Sequence, residues 1–251
     1  YNFGRGGGGG VLFIANAIKF TKIPGYPIAY WISDKLVEAF SGAKLGEIAA
    51  PRQGLATGDN NKFLRLWFEI DIENAYFNAT DGINAFASGK KWFPCNKGGA
   101  FRKWYGNNAY LIDWLGDGFA IKNFAGAVIR NSSYYFRQAG TWSTIASANF
   151  SMRYSPKGFL FESKGSGCFA NDDRNLFYII GFLNSKPVKS ILLVLSPTLD
   201  YHEGPLGRVP IIFDHKVQCQ VDELASNNIA ASKVDWDSFE TSWDFKKHPL
   251  I

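Results

Sequence analysis

The spacing of apolar residues separates helical from extended stretches of this chain. Between residues 27 and 40 every fourth position is apolar: Ile28, Ile32, Leu36 and Phe40. This spacing predicts an amphipathic helix, and Gly42 is a typical stop just beyond its end. A second helix is predicted to begin at Asn171-Asp172, where a carboxylate can cap it, and a new first turn is predicted at Lys186-Pro187. Residues 190–195 should continue as helix until Ser196-Pro197 ends it.

The remaining apolar runs are shorter and lie between Gly, Asn and Pro residues. Three of them predict strands, at 63–70, 127–136 and 158–161. Residues 209–212 are expected at a sheet edge, because Pro210 cannot donate a ladder hydrogen bond. Residues 217–224 are expected to begin a further helix. No repeat is present, and the elements together predict a mixed α+β fold.

Positive charge is concentrated in one part of the chain. The 251 residues carry a formal net charge of +5. Between residues 86 and 112, referred to below as the basic stretch, there are five cations and no acid: Lys90, Lys91, Lys97, Arg102 and Lys103. Clustered positive charge favours a polyanionic partner, whereas the overall charge alone permits one without requiring it.

The residue types of known active sites occur here without their usual spacing. Cys95, Cys168 and Cys219 form no CxxC pair, so neither a disulfide framework nor a zinc site is predicted. The histidines belong to no HExxH motif, and no G-x-S-x-G elbow is present. The carboxylates of Asp172-Asp173 are best explained by a helix start. Cys95 could be a thiol of lowered pKa, although an incidental cysteine is the more common case.

Two features bear on the setting of the chain. The run Gly6–Gly10 is interpreted as a flexible linker, because it lacks the lysine and hydroxyl of a phosphate-binding Walker loop. The longest apolar run is too short to span a bilayer and no signal peptide is evident, so we expect a cytoplasmic protein without a membrane partner.

The first distinctive motif is the segment 51–63, in which glycines, carboxamides, a hydroxyl and cations lie beside an apolar run that contains Arg65. Its candidate DNA contacts are Arg52, Thr57, Asn60, Asn61, Lys62 and Arg65. Such groups suit phosphate and base-edge contacts. The alternative is a tight turn in which the polar side chains bond to their own backbone, and the residues alone favour that alternative.

The second motif, 89–108, alternates cations with aromatic residues and contains several glycines. Besides the five cations of the basic stretch, its candidate DNA contacts are Trp92, Trp104 and Tyr105. Cations neutralise phosphates, and exposed aromatic faces can stack on bases. The alternative is a solvated loop whose aromatic residues anchor it to the core.

These two motifs resemble linked segments of the PglX-type adenine-specific DNA methyltransferases of BREX phage-defence systems. The matching stretches are "PRQGLATGDNNKFLRLW" and "KWFPCNKGGAFRKWYGNN", followed in the same order by "TWSTIASANFSMRYSPKGFLFESKGSGCF", "YIIGFLNSKPVKSILLVLSPTLDY" and "VDWDSFETSWDFKKHPL". The resemblance covers the chain from about Lys22 onward.

The resemblance implies a target-recognition portion of a longer methyltransferase. Residues 1–45 would be a linker and helix leading from the catalytic domain, 46–215 an α+β target-recognition domain, and 216–251 the start of a C-terminal helical region. The family uses S-adenosylmethionine and an Asn-Pro-Pro-Tyr motif to methylate adenine N6. Neither that motif nor a cofactor loop occurs in this chain, so we expect no methylation by the chain alone.

The leading hypothesis is therefore sequence-specific binding of duplex DNA beside the protein's own catalytic domain, which would act on a flipped adenine. The alternative is a protein-interaction module that docks other BREX proteins or phage inhibitors, with the aromatic loop as its hot spot. Phe63, Leu183 and Ile211 are expected in the core. Trp236, Phe239 and Trp243 are expected to pack as an apolar cluster beside a helix.

Overall fold

The computed structural model describes residues 17–145, 149–198 and 200–251. The predicted Gly6–Gly10 linker lies outside these residues. The strands are β1 (Ala49–Arg52), β2 (Leu64–Leu66), β3 (Trp92–Asn96), β4 (Tyr110–Asp113), β5 (Ala139–Thr141), β6 (Arg153–Ser155), β7 (Leu160–Phe161) and β8 (Gly167–Ala170). The α-helices are α1 (Asp34–Ala39), α2 (Leu45–Ile48), α3 (Asn60–Phe63), α4 (Gly82–Ala87), α5 (Leu115–Lys122), α6 (Leu176–Leu183), α7 (Lys186–Leu195), α8 (Glu203–Gly207) and α9 (His215–Asp237). The predicted α+β class is confirmed.

The strands form two four-stranded sheets. The first has the order β1-β8-β5-β6 and is antiparallel throughout. The second has the order β2-β4-β3-β7, with β3 and β7 parallel. Side chains of both sheets meet in one buried cluster, to which β5 contributes Ala139, β8 contributes Phe169 and β3 contributes Phe93. The two sheets therefore share a core.

The helices cover the other face of the first sheet. Because side chains alternate along a strand, Phe169 of β8 points to the core between the sheets, whereas Cys168 and Ala170 belong to the helical cluster. That cluster contains residues of all three predicted domains, among them Phe40, Val188 and Ile229. The domain boundaries at 45 and 215 stay a prediction.

The helices after residue 170 follow the predictions closely. The Asp172 carboxylate caps the 3-10 turn Asp173–Asn175, which leads into α6. Pro187 lies in the first turn of α7, and α7 ends at Leu195, directly before Ser196-Pro197. No single helix in the described ranges is long and apolar enough to span a bilayer. Asp173–Leu183 and Lys186–Leu195 reach that length only together, across an 80° bend.

The predicted helix over 27–40 is only partly correct. It begins at Asp34, because the Ser33 hydroxyl accepts a hydrogen bond from the Leu36 amide and caps it. Upstream of this cap, Gly25 and Tyr26 have left-handed backbones with φ of 89° and 52°, and the chain turns there. The pattern of an apolar residue at every fourth position thus begins before the N-terminus of the helix, in a turn.

The strand prediction for 127–136 is wrong. Asn131 and Phe136 have positive φ angles of 51° and 65°, which an extended ladder cannot contain, and Ser132–Tyr134 forms a 3-10 turn. The prediction for 63–70 is reduced to β2, because a helical turn ends at Phe63 and a 3-10 turn, Trp67–Glu69, follows.

The other two extended segments are shorter than predicted. Of 158–161 only β7 is a strand. Residues 209–212 form a single bridge, at Pro210, to Lys44. The core predictions are confirmed, since Phe63, Leu183 and Ile211 are all buried.

Candidate nucleic-acid interface

The turn 57–63 is held by its own polar side chains. The Asp59 carboxylate accepts a hydrogen bond from the Lys62 amide at 3.1 Å and caps α3. The buried Thr57 hydroxyl donates to the Asn60 side-chain oxygen at 2.6 Å. Gly58 has φ of +73°, and a Cβ there would lie 2.8 Å from the Ala127 amide nitrogen, so the turn requires glycine. The alternative of side chains that bond to their own backbone is thus correct for Asp59, whereas the side chains of Thr57 and Asn60 bond to each other.

Residues of this turn and of the strand that follows it line a cleft. Asn60, Asn61 and Arg65 line an open cleft of 440 Å³ together with Lys97 and Tyr110. The Arg65 guanidinium donates to the carbonyl oxygens of Asn61 and Leu64, the latter at 2.7 Å, which fixes its position at the edge of β2. The structure therefore brings the two predicted motifs together at one place.

The cleft is predominantly cationic and polar. Its one acidic side chain among the described residues, Glu69, accepts a hydrogen bond from the Leu66 amide at 2.8 Å. The Lys97 ammonium lies 5.9 Å from the centre of the Tyr110 ring. In the described part of the chain, Lys97 has no carboxylate within ion-pair distance. Two cations with two carboxamides are suited to phosphate and base-edge contacts.

The other four cations of the basic stretch have internal partners. Lys90 donates to the Glu73 carbonyl at 2.5 Å, and Lys91 forms an ion pair of 3.4 Å with Asp113. The absence of acids from 86–112 favoured a free basic surface, but that interpretation is incomplete because the fold supplies partners from outside the stretch.

The segment Arg102–Tyr105 is attached to the helical layer and is referred to below as the anchored segment. The Arg102 guanidinium pairs with Asp235 at 2.8 Å and lies 5.1 Å from the centre of the Trp236 ring. Gly106 is necessary for this stacking, because a Cβ there would lie 2.4 Å from the Arg102 Cδ and 2.9 Å from the Trp236 ring.

The rest of the anchored segment is held equally firmly. Lys103 donates to the Asn184 carbonyl at 2.8 Å. Trp104 has a left-handed backbone, with φ of 71°, and its amide and carbonyl bond to the backbones of Met152 and Tyr154. These contacts join the basic stretch to the α6–α7 corner and to β6.

Three of the residues predicted to contact DNA are buried in the protein core. Trp92 and Tyr105 are 9% and 5% exposed, and Thr57 is 3% exposed. Their side chains present no open face to a base in this structure, because they pack inside it. The anchoring alternative therefore describes Trp92 and Tyr105. Trp104 is half-buried against the helical cluster.

The two remaining candidates lie away from the centre of the cleft. The Arg52 guanidinium is 5.4 Å from the centre of the Tyr134 ring, at the exposed end of β1. The Lys62 ammonium is 4.5 Å from the centre of the Phe124 ring. Both side chains are exposed cations stacked on aromatic faces.

The glycines of the basic stretch make room for other parts of the chain. Gly98 has φ of +85°, and a Cβ there would lie 2.5 Å from the Lys164 carbonyl oxygen. A Cβ on Gly99, with φ of +128°, would lie 2.9 Å from the Asn107 side chain. The room that these glycines provide is occupied by the protein's own chain rather than by a ligand.

The last of the matching stretches, "VDWDSFETSWDFKKHPL", has a structural explanation in this fold. Lys233 bridges Asp237 at 2.5 Å and Asp244 at 3.1 Å, while the Ser242 hydroxyl donates to Asp237 at 2.7 Å. Burial lowers the pKa of Lys233, but hydrogen bonds to Asp237 and Asp244 outweigh it and raise the pKa above the usual value. This network fixes the end of α9 beside the anchored segment, where Lys233 also lies over the Tyr105 ring.

The predicted cluster of three aromatic residues is divided between two places. Trp236 is buried in the helical cluster, whereas Phe239 is 47% exposed. Trp243 packs instead against Phe77 and Phe159 near the second sheet, with ring centres 5.0 and 6.0 Å apart.

Arg153 is a buried cation that the sequence analysis missed. It is 1% exposed, and its Nε and one terminal nitrogen have no hydrogen-bond partner within the described ranges. Burial, with a smaller contribution from Arg102, lowers its pKa from 12.5 to about 10. The short strand β6 gave no signal of this burial in the sequence.

The suggestion of a reactive Cys95 is wrong. Cys95 is buried in β3, and burial raises the pKa of its thiol far above the usual range. No group of His, Cys, Asp and Glu side chains suited to a metal ion occurs among the residues that the structure describes.

Sequence comparison bears on the origin of this fold. The chain is 44% identical over 242 residues to "Adenine-specific methyltransferase PglX" of Lacticaseibacillus casei (strain Zhang), which covers 93% of the chain and 20% of that protein. It is 40% identical over 236 residues to "Adenine-specific methyltransferase BrxX" of Escherichia coli O9:H4 (strain HS), covering 92% of the chain and 18% of that protein. The predicted resemblance to PglX-type methyltransferases is confirmed.

The PglX-type similarity has a defined extent. The chain spans about a fifth of the length of the curated relatives that it matches. No family model matches the chain. The aligned region nonetheless includes nearly all of the chain, so both sheets and most of the helical layer correspond to one segment of these methyltransferases.

Proposed function

We propose that this chain recognises duplex DNA as part of an S-adenosylmethionine-dependent adenine-N6 methyltransferase of a BREX phage-defence system. Its DNA-contacting surface is the cleft that joins the two motifs. The observation that carries the proposal is the convergence of Asn60, Asn61, Arg65 and Lys97 on one open cleft. Cofactor binding and methyl transfer belong, on this proposal, to the protein's catalytic domain.

The chemistry of the cleft supports this function. Guanidinium and ammonium groups neutralise phosphates, and a single asparagine side chain can make two hydrogen bonds to the edge of adenine. Lys97 is available to a ligand because it has no internal carboxylate partner in the described structure. The similarity to adenine-specific methyltransferases agrees with a DNA substrate.

The test is duplex DNA binding across a salt series, with the protein and two double variants. Arg65→Ser/Lys97→Ser removes both cations of the cleft. We expect about a ten-fold loss of affinity near physiological salt. The slope of log binding constant against log salt concentration should become less negative by about two, because two phosphate contacts disappear.

The matched control is Lys246→Ser/Lys247→Ser, which removes the same charge from two exposed positions near the C-terminus. This control separates the cleft from the overall charge of the protein. If the cleft variant and the control bind DNA with the same affinity and salt dependence, the cleft is not the DNA-contacting surface.

A second candidate function, docking of another defence protein, is favoured by a separate observation. Tyr26, Ile28 and Trp31 are 69%, 72% and 56% exposed and lie close together in sequence. Exposed apolar patches of this kind mark protein interfaces. Tyr26→Ser/Trp31→Ser should then abolish the protein contact while DNA binding is retained, and that contact should depend weakly on salt.

A further inference from the structure

A second cationic cavity lies at the corner between α6 and α7. Its volume is 220 Å³, and three lysines line it: Lys103, Lys186 and Lys189. Phe101 and Phe150 form apolar walls. None of the described residues lining the cavity is acidic, and neither Lys186 nor Lys189 has a carboxylate partner in the described structure. Three like charges placed together with no carboxylate beside them in the described structure favour an anionic ligand.

The corner that carries these lysines is held rigidly. The Asn184 side chain accepts a hydrogen bond from the Met152 amide at 3.0 Å and donates to the Met152 carbonyl at 2.9 Å. The Asn184 carbonyl in turn accepts from Lys103 at 2.8 Å. The position of Lys103 relative to the start of α7 is therefore fixed before any ligand binds.

Ser185 adds an unused hydrogen-bonding group to the same cavity. It occupies the position before α7 and has the extended backbone of a capping residue, but its side chain makes no capping bond. Its hydroxyl oxygen is shielded from solvent and has no partner in the described structure. A buried hydroxyl left without a partner carries a desolvation cost, which a ligand oxygen would relieve.

We propose that this cavity binds a backbone phosphate of the same DNA duplex that occupies the cleft. Lys186 and Lys189 contact the phosphate, and the half-exposed Phe101 packs against the adjoining deoxyribose. The Ser185 hydroxyl, which is shielded in this structure, rotates about its Cα–Cβ bond and donates to one of the phosphate oxygens. This inference rests on the proposed function and extends it, because Ser185, Lys186 and Lys189 are outside the motifs that predicted DNA contacts.

The distance between the two sites is compatible with one duplex. Lys97 lines the cleft and Lys103 lines the cavity, and they are six residues apart, so their Cα atoms are separated by at most about 20 Å. Double-stranded DNA has one phosphate for roughly every 1.7 Å of its axis, and about a dozen phosphates therefore fall within that separation.

The test compares Lys186→Ser/Lys189→Ser with the charge-matched Lys246→Ser/Lys247→Ser, again by duplex DNA binding across a salt series. We expect the cavity variant to bind DNA about ten-fold more weakly, and its slope of log binding constant against log salt concentration to be less negative by about two. Its unfolding midpoint should be unchanged. The cleft variant Arg65→Ser/Lys97→Ser is measured beside it.

These variants distinguish failure of the inference from failure of the proposed function. If the cleft variant loses affinity but the cavity variant behaves like the charge control, the cavity is not a DNA contact while the proposed function stands. If the protein binds no duplex DNA, both proposals fail. If the cavity variant loses binding of a free mononucleotide but keeps that of DNA, the phosphate source is wrong and the inference is overturned.

Ser185→Ala gives a second readout that does not depend on charge. Because the Ser185 hydroxyl caps nothing and is buried without a partner in the described structure, its removal should leave the free energy of unfolding equal or slightly higher and reduce DNA affinity by a few-fold. An ordinary capping serine would show the opposite result, with a loss of stability and no change in DNA binding. That opposite result would overturn the role assigned to Ser185.

Discussion

Lys97 and Arg102 are five residues apart in the same basic stretch, yet their surroundings differ. Lys97 lies at an open cleft with an aromatic ring beside it and no carboxylate partner in the described structure. Arg102 pairs with Asp235 and stacks on Trp236, both in α9. The comparison shows that a count of cations does not give the charge available to a ligand, because the fold decides which cations are already paired.

The two sites also differ in how much stability their side chains contribute. Arg102 has an ion pair that is largely exposed, worth about 0–1 kcal/mol, and a ring contact worth about 0.5–1 kcal/mol. Lys97 has only a distant ring contact. Arg102 is therefore expected to stabilise the fold, whereas Lys97 can be changed for a functional test without unfolding the protein.

The largest effect should come from Trp236, on which the anchored segment rests. Trp236→Ala removes a buried indole and the surface under Arg102, so we expect a loss of about 3 kcal/mol in the free energy of unfolding. Chemical denaturation followed by circular dichroism measures it. Phe239→Ala, three residues later and 47% exposed, is the control and should cost less than about 1 kcal/mol. Equal losses for the two variants would mean that Trp236 does not anchor this segment.

Smaller effects on stability and DNA binding should distinguish Arg102 from Lys97. Arg102→Gln should lower the free energy of unfolding by about 1 kcal/mol, because both the ion pair and the ring contact disappear. Lys97→Gln should leave stability unchanged and weaken DNA binding by a few-fold. The comparison between the two sites fails if the effects are reversed, with Lys97 controlling stability and Arg102 controlling DNA affinity.

Elements fixed by local chemistry were predicted well from the sequence. Asp172 caps its turn, Pro187 begins α7, and α7 ends before Pro197, because each signal lies within a few residues of its effect. The strand over 127–136 was predicted wrongly. There the apolar run was present, but the left-handed backbones of Asn131 and Phe136 depend on tertiary packing that the sequence pattern does not show.

The candidate site was predictable only to the same local extent. Sequence reasoning found both motifs, and the fold joins them through Asn61, Arg65 and Lys97. It did not find the partners of the other cations, because Asp235 is 133 residues from Arg102 along the chain. Nor did it find Lys186 and Lys189, whose positions in the apolar helix α7 look like an ordinary solvent-facing side.

The smallest expected effect is a difference in thiol reactivity. It compares Cys95 on β3, the strand behind the cleft, with Cys219 on α9, the helix behind the anchored segment. Cys219 on α9 is exposed, whereas Cys95 on β3 and Cys168 are buried. Burial raises the pKa of Cys168 to about 12 and that of Cys95 further, so at pH 9 both buried thiols stay protonated and unreactive. We therefore expect one fast-reacting thiol in the native protein and three after denaturation, with Cys219→Ser removing the fast one. A fast thiol that persists in Cys219→Ser but is lost in Cys95→Ser/Cys219→Ser would show that β3 opens to solvent, and the cleft would then be less rigid than the anchored segment.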